Sequence, residues 1–177
     1  GGFNKIEFGG KKDFFVSPIT LDTEKLDYFQ NHLMLFFTGL SRNSSDIAQE
    51  QINNTGNKRA ELKTMQSMVD QAIEILNGNS ADICDFGKLL HESWLLKRGL
   101  SSLISNNFLD DIYETARKNG ALGGKLLGAG GGGFMLLFAP PERQQKIKEA
   151  LKNILYVPFR FENLGAQIIL YSAQDFT

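Results

Sequence analysis

The chain has 177 residues, enough for one domain or two small ones, and a hydrophobic content of 42% that supports a packed core and excludes disorder for most of it. Nineteen basic and twenty acidic side chains leave a net charge of −1, so composition gives no electrostatic footprint for nucleic acid or an acidic membrane. No apolar run approaches the ~20 residues of a membrane helix, and the single Cys84 excludes a disulfide framework, which fits a reducing, cytoplasmic setting.

The chain opens Gly1-Gly2-Phe3-Asn4, with no Met and no basic stretch before an apolar one. No signal peptide is expected, and this opening reads as interior to a longer protein. Residues 3–8 and 13–19 are β-like runs separated by Gly9-Gly10-Lys11-Lys12, the pattern of a strand pair. Leu33 to Phe37 is a continuous apolar run, too short for a typical helix and closed by Thr38-Gly39, so a buried strand is predicted. Met65, Met68, Val69, Ala72, Ile73 and Leu76 follow helical spacing until Asn77-Gly78. Ser80 is the expected cap of the next helix, with Asp82 in its first turn. Ile83, Phe86, Leu90 and Trp94 point inward from that helix, which ends near Gly99. A further helix is predicted over 106–118, with Phe108, Leu109, Ile112, Tyr113 and Ala116 on one face and Lys118-Asn119-Gly120 as its stop.

After Gly120 the period changes. Lys125-Leu126-Leu127 and Phe134 to Phe138 read as strands, the second closed by Pro140-Pro141. Ile147, Ala150, Leu151 and Ile154 mark an amphipathic helix that begins after Pro141. Val157, Phe159 and Phe161 alternate with polar or proline positions, which predicts a half-buried strand, and Asn163-Leu164-Gly165 turns into another over Gln167–Tyr171. Strands and helices mixed with hairpins predict an α+β fold, with several helices packed on one face of a mainly antiparallel sheet.

Several enzyme signatures begin and fail. His91-Glu92-Ser93-Trp94 lacks the second histidine of a zinc-protease helix, and with His32 as the other histidine of the chain no metal site is predicted. Gly39-Leu40-Ser41-Arg42-Asn43 lacks the closing glycine of a nucleophile elbow. Gly128, Gly130 and Gly133 fit a dinucleotide fingerprint, but a strand follows where that motif requires a helix. His91 is expected to be a satisfied helix histidine, Cys84 inert packing, and Lys58-Arg59 and Lys97-Arg98 solvated basic pairs.

Eight of the fourteen residues from Gly120 to Gly133 are glycine. The loop Gly128, Ala129, Gly130, Gly131, Gly132, Gly133 exposes backbone N–H groups with little side chain in the way, and glycine admits the positive φ that makes successive N–H groups converge on an anion. A tight strand connection is the plain structural alternative, for which four consecutive glycines are excessive.

Gly120 through Met135, with Gly-Gly-Lys125-Leu-Leu-Gly-Ala-Gly-Gly-Gly-Gly133 at its centre, resembles the third, C-terminal motif of the GHMP kinases. The two helices before it and the strand-helix-strand-strand after it resemble that superfamily's C-terminal domain, a ferredoxin-like α+β sandwich with extra helices. Phe36-Phe-Thr-Gly-Leu-Ser-Arg42 resembles the strand and loop of its sugar-phosphate branch, and Leu127, where many members have Ser or Thr, is similar to the D-glycero-D-manno-heptose 7-phosphate kinase group. The superfamily's Gly-Ser-Ser phosphate loop and catalytic Asp belong to an N-terminal domain whose motifs are not in these residues. The resemblance therefore implies that residues 1–22 are a strand pair belonging to that N-terminal domain and residues 23–177 the C-terminal domain. It implies an ATP-dependent, Mg²⁺-assisted sugar-phosphate kinase in the intact protein, with no catalytic residue in this chain and no activity from this chain alone. The glycine loop would brace the phosphate loop; Arg42 would clamp the substrate phosphate, with Thr38, Ser41 and Lys125 as further substrate contacts. Kinases of the fucose, galactose or mevalonate type, and a non-catalytic ferredoxin-like ligand-binding module, are the alternatives.

Overall fold

The computed structural model describes residues 1–10, 13–41, 44–78 and 82–168. Strands β1 (Asn4–Phe8) and β2 (Phe14–Pro18) form an antiparallel pair, with Asn4 opposite Pro18 and Phe8 opposite Phe14. Helix α1 (Thr23–Asn31) follows, capped by the Asp22 carboxylate, which accepts from the Lys25 N–H at 2.7 Å. Then come β3 (Leu33–Phe37), α2 (Ser44–Asn54), α3 (Arg59–Asn77), α4 (Cys84–Arg98) and α5 (Asn107–Lys118). The chain continues through β4 (Gly123–Leu126), β5 (Phe134–Phe138), α6 (Pro141–Ala150) and β6 (Leu155–Tyr156).

The second sheet has the spatial order β4-β5-β3-β6 with every pairing antiparallel. Numbered from β3 this is 2-3-1-4, the order of a ferredoxin-like βαββαβ unit, with α2 to α5 in the first crossover and α6 in the second. The α+β reading of the sequence is thus the observed architecture.

Alternation along the strands puts an apolar cluster on each face of this sheet. Met34 and Phe36 of β3, Met135 and Leu137 of β5 and Leu126 of β4 join Trp94, Ile112, Tyr113 and Ile147 in one cluster. Leu33, Leu136 and Phe138 point the other way and meet Phe29, Leu76, Phe86 and Leu90. The register fixes this partition: Leu33 pairs with Phe138 and Met34 with Leu137, so a slip of one residue would exchange the two faces.

Helix α4 lies close on the edge strand β4. A Cβ at Gly123 would meet the Gly87 carbonyl and the His91 nitrogen, so the helix backbone rests on the strand where neither partner carries a side chain. Asn106 caps helix α5 by accepting from the Leu109 N–H at 3.0 Å, and Leu109, Ile112, Tyr113 and Ala116 are buried as their spacing predicts, whereas Phe108, expected on the same face, is exposed.

Some expectations shift. The strand predicted around Val157, Phe159 and Phe161 is instead β6 at Leu155–Tyr156. Val157 still donates to the Leu35 carbonyl at 2.8 Å, but Pro158 has no N–H and ends the ladder there. Phe159 and Phe161 nevertheless pack onto the second cluster. Ile154 lies beyond α6, which Leu151 caps. Val69 is not core but lies on the rim of a cavity between α3, α4 and the N-terminal strand pair. Helices α1 and α2 have no counterpart in the sequence reading. Ser80 and residues 169–171, part of a predicted strand, lie outside the described residues.

The β1–β2 pair packs little of itself. Ile6, Phe8, Phe14 and Val16 share one face by register and are all exposed. At its base Phe3 stacks near Phe29 and Phe161, and Lys5 bridges to Asp70 on α3 at 3.0 Å. Among the described residues no helix is long and apolar enough to cross a membrane.

The α4–β4 contact gives the first test. Gly123→Val forces a branched side chain into the helix backbone and should destabilise the fold by about 3 kcal/mol, the upper end of overpacking costs. The midpoint of chemical denaturation reports it; an unchanged midpoint would mean that α4 does not sit on β4 at backbone distance.

Candidate functional site

The β4–β5 connection, residues 127–133, is the glycine loop. Gly128, Gly130, Gly131 and Gly133 have φ of 72°, 126°, 73° and 94°, a region that side-chain-bearing residues rarely enter. At Gly130 a Cβ would also collide with the backbone of Ile104. The loop is tied to its surroundings at both ends. Gly131 donates to the Ile104 carbonyl at 2.8 Å and Gly133 to the Leu40 carbonyl at 2.9 Å.

Its carbonyls face inward. Lys97 on α4 donates to the carbonyls of Leu126 at 2.9 Å and Gly128 at 2.6 Å. Gln51 on α2 donates to the Ala129 carbonyl at 2.9 Å. The Gly133 carbonyl accepts from both the N–H and the hydroxyl of Thr38, each at 2.9 Å. In contrast, among the described residues the N–H groups of Gly128, Ala129, Gly130 and Gly132 make no hydrogen bond. These donors border a cavity of about 330 Å³ lined by the loop, Phe37, Leu40 and Ser41. A concavity edged by unpaired backbone donors is suited to an anion.

Lys97 corrects the sequence reading of a solvated basic pair. Its side chain is 7% exposed, and among the described residues it has no carboxylate partner. Burial, with a smaller contribution from the nearby Lys125 charge, pulls its pKa down to about 8. The physical reason for its burial lies in its spacing. Leu90, Trp94 and Lys97 stand at i, i+4 and i+7, so the inward face of α4 carries the lysine under the loop. That spacing was the available signal. Arg98, one position on, does reach toward solvent and pairs with Asp110 at 2.8 Å.

The residues singled out beforehand are placed as follows. Thr38 is buried, its hydroxyl engaged with Gly133 and accepting weakly from the Leu40 N–H at 3.4 Å. Ser41 is exposed on the cavity rim. Arg42 lies outside the described residues. Lys125 is half-buried on β4 and faces a different cavity, of about 350 Å³, bordered by Met65, Met68, Leu90 and Phe3. Burial lowers its pKa too, and among the described residues its ammonium has no hydrogen-bond partner. The structure thus brings Thr38 and Ser41 to the glycine loop and not Lys125, whereas Lys97 and Gln51 enter it unannounced. Away from the loop, His91 is satisfied by the Tyr113 hydroxyl at 2.6 Å. Among the described residues no cluster of three or more His, Cys, Asp or Glu side chains could hold a metal ion.

Known proteins resemble this chain in sequence and fold. Residues 79–157 match the family model of the GHMP kinases' C-terminal region. The chain is similar to the D-glycero-alpha-D-manno-heptose 7-phosphate kinase of Campylobacter jejuni, 32% identical over 86% of this chain and 45% of that protein. It is 30% identical to the mevalonate kinase of Thermococcus gammatolerans over 72% of this chain and 40% of that protein. Its fold matches the crystal structure of a D-glycero-D-manno-heptose 1-phosphate kinase from Bacteroides thetaiotaomicron with a TM-score of 0.61 at 23% identity, covering 91% of this chain and 42% of that one. The chain therefore spans less than half the length of each of these relatives. Residues 79–157 are thus a GHMP kinases C-terminal region, built on the ferredoxin-like sheet whose β4–β5 turn is the glycine loop, and the likenesses to kinases of that family extend over most of the chain.

Proposed function

We propose that the intact protein is an ATP-dependent kinase of a small phosphorylated sugar, of the D-glycero-D-manno-heptose 7-phosphate class, working in the cytoplasm. The observation that carries this reading is the glycine loop: four backbone N–H groups that make no hydrogen bond among the described residues and belong to residues lining a cavity, with carbonyls of the same loop held by Lys97 and Gln51. Donors in that arrangement receive phosphate oxygens and cost no reorganisation when charge moves onto them. The identity of 32% to a heptose 7-phosphate kinase supports the choice of substrate.

ATP and Mg²⁺ fit this division of labour. The loop offers N–H donors, which suit phosphate oxygens and cannot ligate a cation. With no acidic cluster among the described residues, Mg²⁺ would be held by the triphosphate and by side chains of the N-terminal domain. The metal, when bound, neutralises the charge of the transferring group. This chain's own part is to bind and orient. In this reading the loop holds phosphate oxygens, Ser41, on the cavity rim, would meet a sugar hydroxyl, and Arg42 would clamp the phosphate already on the sugar. Thr38 acts one step back, holding Gly133. Lys125, in the neighbouring cavity, has a role toward substrate only if the N-terminal domain closes over that cavity.

The exposed apolar face of β1–β2, with Ile6, Phe8, Phe14 and Val16, is the surface on which we place the N-terminal domain. That domain would supply the phosphate loop and the catalytic carboxylate.

Activity of the intact protein tests the reading directly: ADP release with ATP and D-glycero-D-manno-heptose 7-phosphate, compared with mevalonate, fucose and galactose. Turnover of none of them would overturn it. Gly130→Val should abolish this activity while costing ~1–3 kcal/mol of stability from backbone strain; full activity in that variant would remove the loop from the reaction. Arg42→Ala should raise KM for the sugar phosphate far more than KM for ATP, and equal effects would return Arg42 to a solvated loop residue. Residues 1–177 alone should turn over no ATP, because half of a phosphoryl-transfer site cannot align nucleophile, metal and triphosphate. Steady ATP hydrolysis by the purified chain would reverse that division of labour.

A further inference from the structure

The donors of the glycine loop are aimed by residues that lie outside it. A trans peptide is planar, with its carbonyl and N–H on opposite sides. The carbonyl of Gly128 and the N–H of Ala129 belong to one such plane, and the carbonyl of Ala129 and the N–H of Gly130 to the next. Lys97 holds the first carbonyl at 2.6 Å and Gln51 the second at 2.9 Å. Each bond therefore points one N–H group, unpaired among the described residues, away from the side chain that holds its carbonyl, and both Ala129 and Gly130 line the cavity.

Lys97 adds charge to this geometry. Its ammonium has three donors, of which two are spent on the carbonyls of Leu126 and Gly128. It is 7% exposed, and the charge acting on it is another cation, Lys125 of β4. The glycine loop packed against it carries no titratable side chain. Arg98, its neighbour on α4, is matched by Asp110. Among the described residues no carboxylate pairs with Lys97; a buried cation without a counter-ion is costly, and two carbonyl dipoles offset only part of that cost. An anion seated on the loop would supply the missing charge.

We propose that Lys97 and Gln51 are positioning residues for phosphate at the glycine loop: they turn the Ala129 and Gly130 N–H groups toward the anion, and the Lys97 ammonium serves as its buried counter-charge. This rests on the reading of the loop as a phosphate site and assigns to two side chains outside it the control of its affinity. A purely structural clamp would hold the loop without its protonation responding to ligand. A counter-charge is linked to the anion: near pH 8, where burial leaves Lys97 partly neutral, phosphate binding draws a proton onto it.

The test is calorimetric titration of the intact protein with inorganic tripolyphosphate and with MgATP at pH 8, in two buffers of different ionisation enthalpy. Wild-type protein should take up protons on binding either one. Lys97→Met should weaken tripolyphosphate binding ~tenfold, the scale of one charge-assisted hydrogen bond, and abolish the uptake. Lys97→Arg, permanently charged, should keep affinity within ~threefold yet show no uptake. Gln51→Leu should weaken binding while keeping the uptake. Wild-type binding without proton uptake, or Lys97→Met binding as tightly as wild type, would overturn the proposal. Should Lys97→Met fail to fold, the wild-type proton count and the arginine variant decide. Absence of any binding by the wild type overturns the phosphate reading of the loop and this inference together. Binding with uptake but without transfer to any sugar phosphate supports the positioning role and overturns only the kinase reading.

Discussion

The contact between the backbone of α4 and that of β4 sets where Lys97 meets the glycine loop. Because Gly123 carries no Cβ, the strand approaches the helix at Gly87 and His91 to backbone distance. From Gly87 to Lys97 the helix advances about 15 Å. From Gly123 the strand and the start of the loop cover about 10 to 16 Å on reaching Leu126 and Gly128. The two paths run side by side, so a lysine nearly three turns beyond Gly87 arrives under the carbonyls at the end of the strand. A side chain at Gly123 would lift the helix away and take the ammonium with it. The glycines of Gly123-Gly124 and those of the loop serve one end in different ways. The first pair permits close approach; the second permits backbone angles that turn donors outward.

Burying an ammonium is a costly way to secure a loop. A leucine at position 97 would escape the desolvation penalty but would leave the Leu126 and Gly128 carbonyls with no donor, and an unmade buried hydrogen bond costs about 1–3 kcal/mol. Glutamine, the residue that performs the same task for Ala129, is neutral and shows that charge is not required merely to hold a carbonyl. The charge of the lysine thus exceeds what holding a carbonyl requires, and that excess is the physical ground for the proposal that the loop receives an anion.

Much of this was legible in the residues. The β3 strand falls on the apolar run from Leu33 to Phe37, and α5 follows the spacing of Leu109, Ile112, Tyr113 and Ala116. The loop itself announced its backbone freedom by composition. Three things were not legible, for separable reasons. Among the described residues of helix α2 only Ile47 is buried, and the helix is tied down by polar contacts from Gln51 to Ala129 and Asn54 to Leu100, long-range bonds that leave no periodic trace. The last strand of the sheet ended early because one proline removed a donor, although the phenylalanines beyond it still pack inward. Lys97 was misjudged because a Lys-Arg pair reads as solvent-facing from charge alone, while its helical spacing from Leu90 and Trp94 carried the opposite message.

The position of the site follows from strand register. In a 2-3-1-4 sheet the central strand β3 runs against β5, and Phe37 at its end pairs with Phe134 at the other's beginning. One residue past each of these lie Thr38 and Gly133, which is why the threonine N–H and hydroxyl converge on that glycine's carbonyl. The loop leaving β4 must close onto the same point, since β4 pairs with β5 from Gly123 opposite Phe138 to Leu126 opposite Met135. The chain after β3, at Leu40, accepts from Gly133, and Ile104 before α5 accepts from Gly131. Segments far apart in sequence thus meet at one corner of the sheet, each offering a carbonyl to the loop or taking one from it. Among the described residues the loop N–H groups with no such partner belong to residues that line the cavity, and these are the donors on which the proposed phosphate site rests.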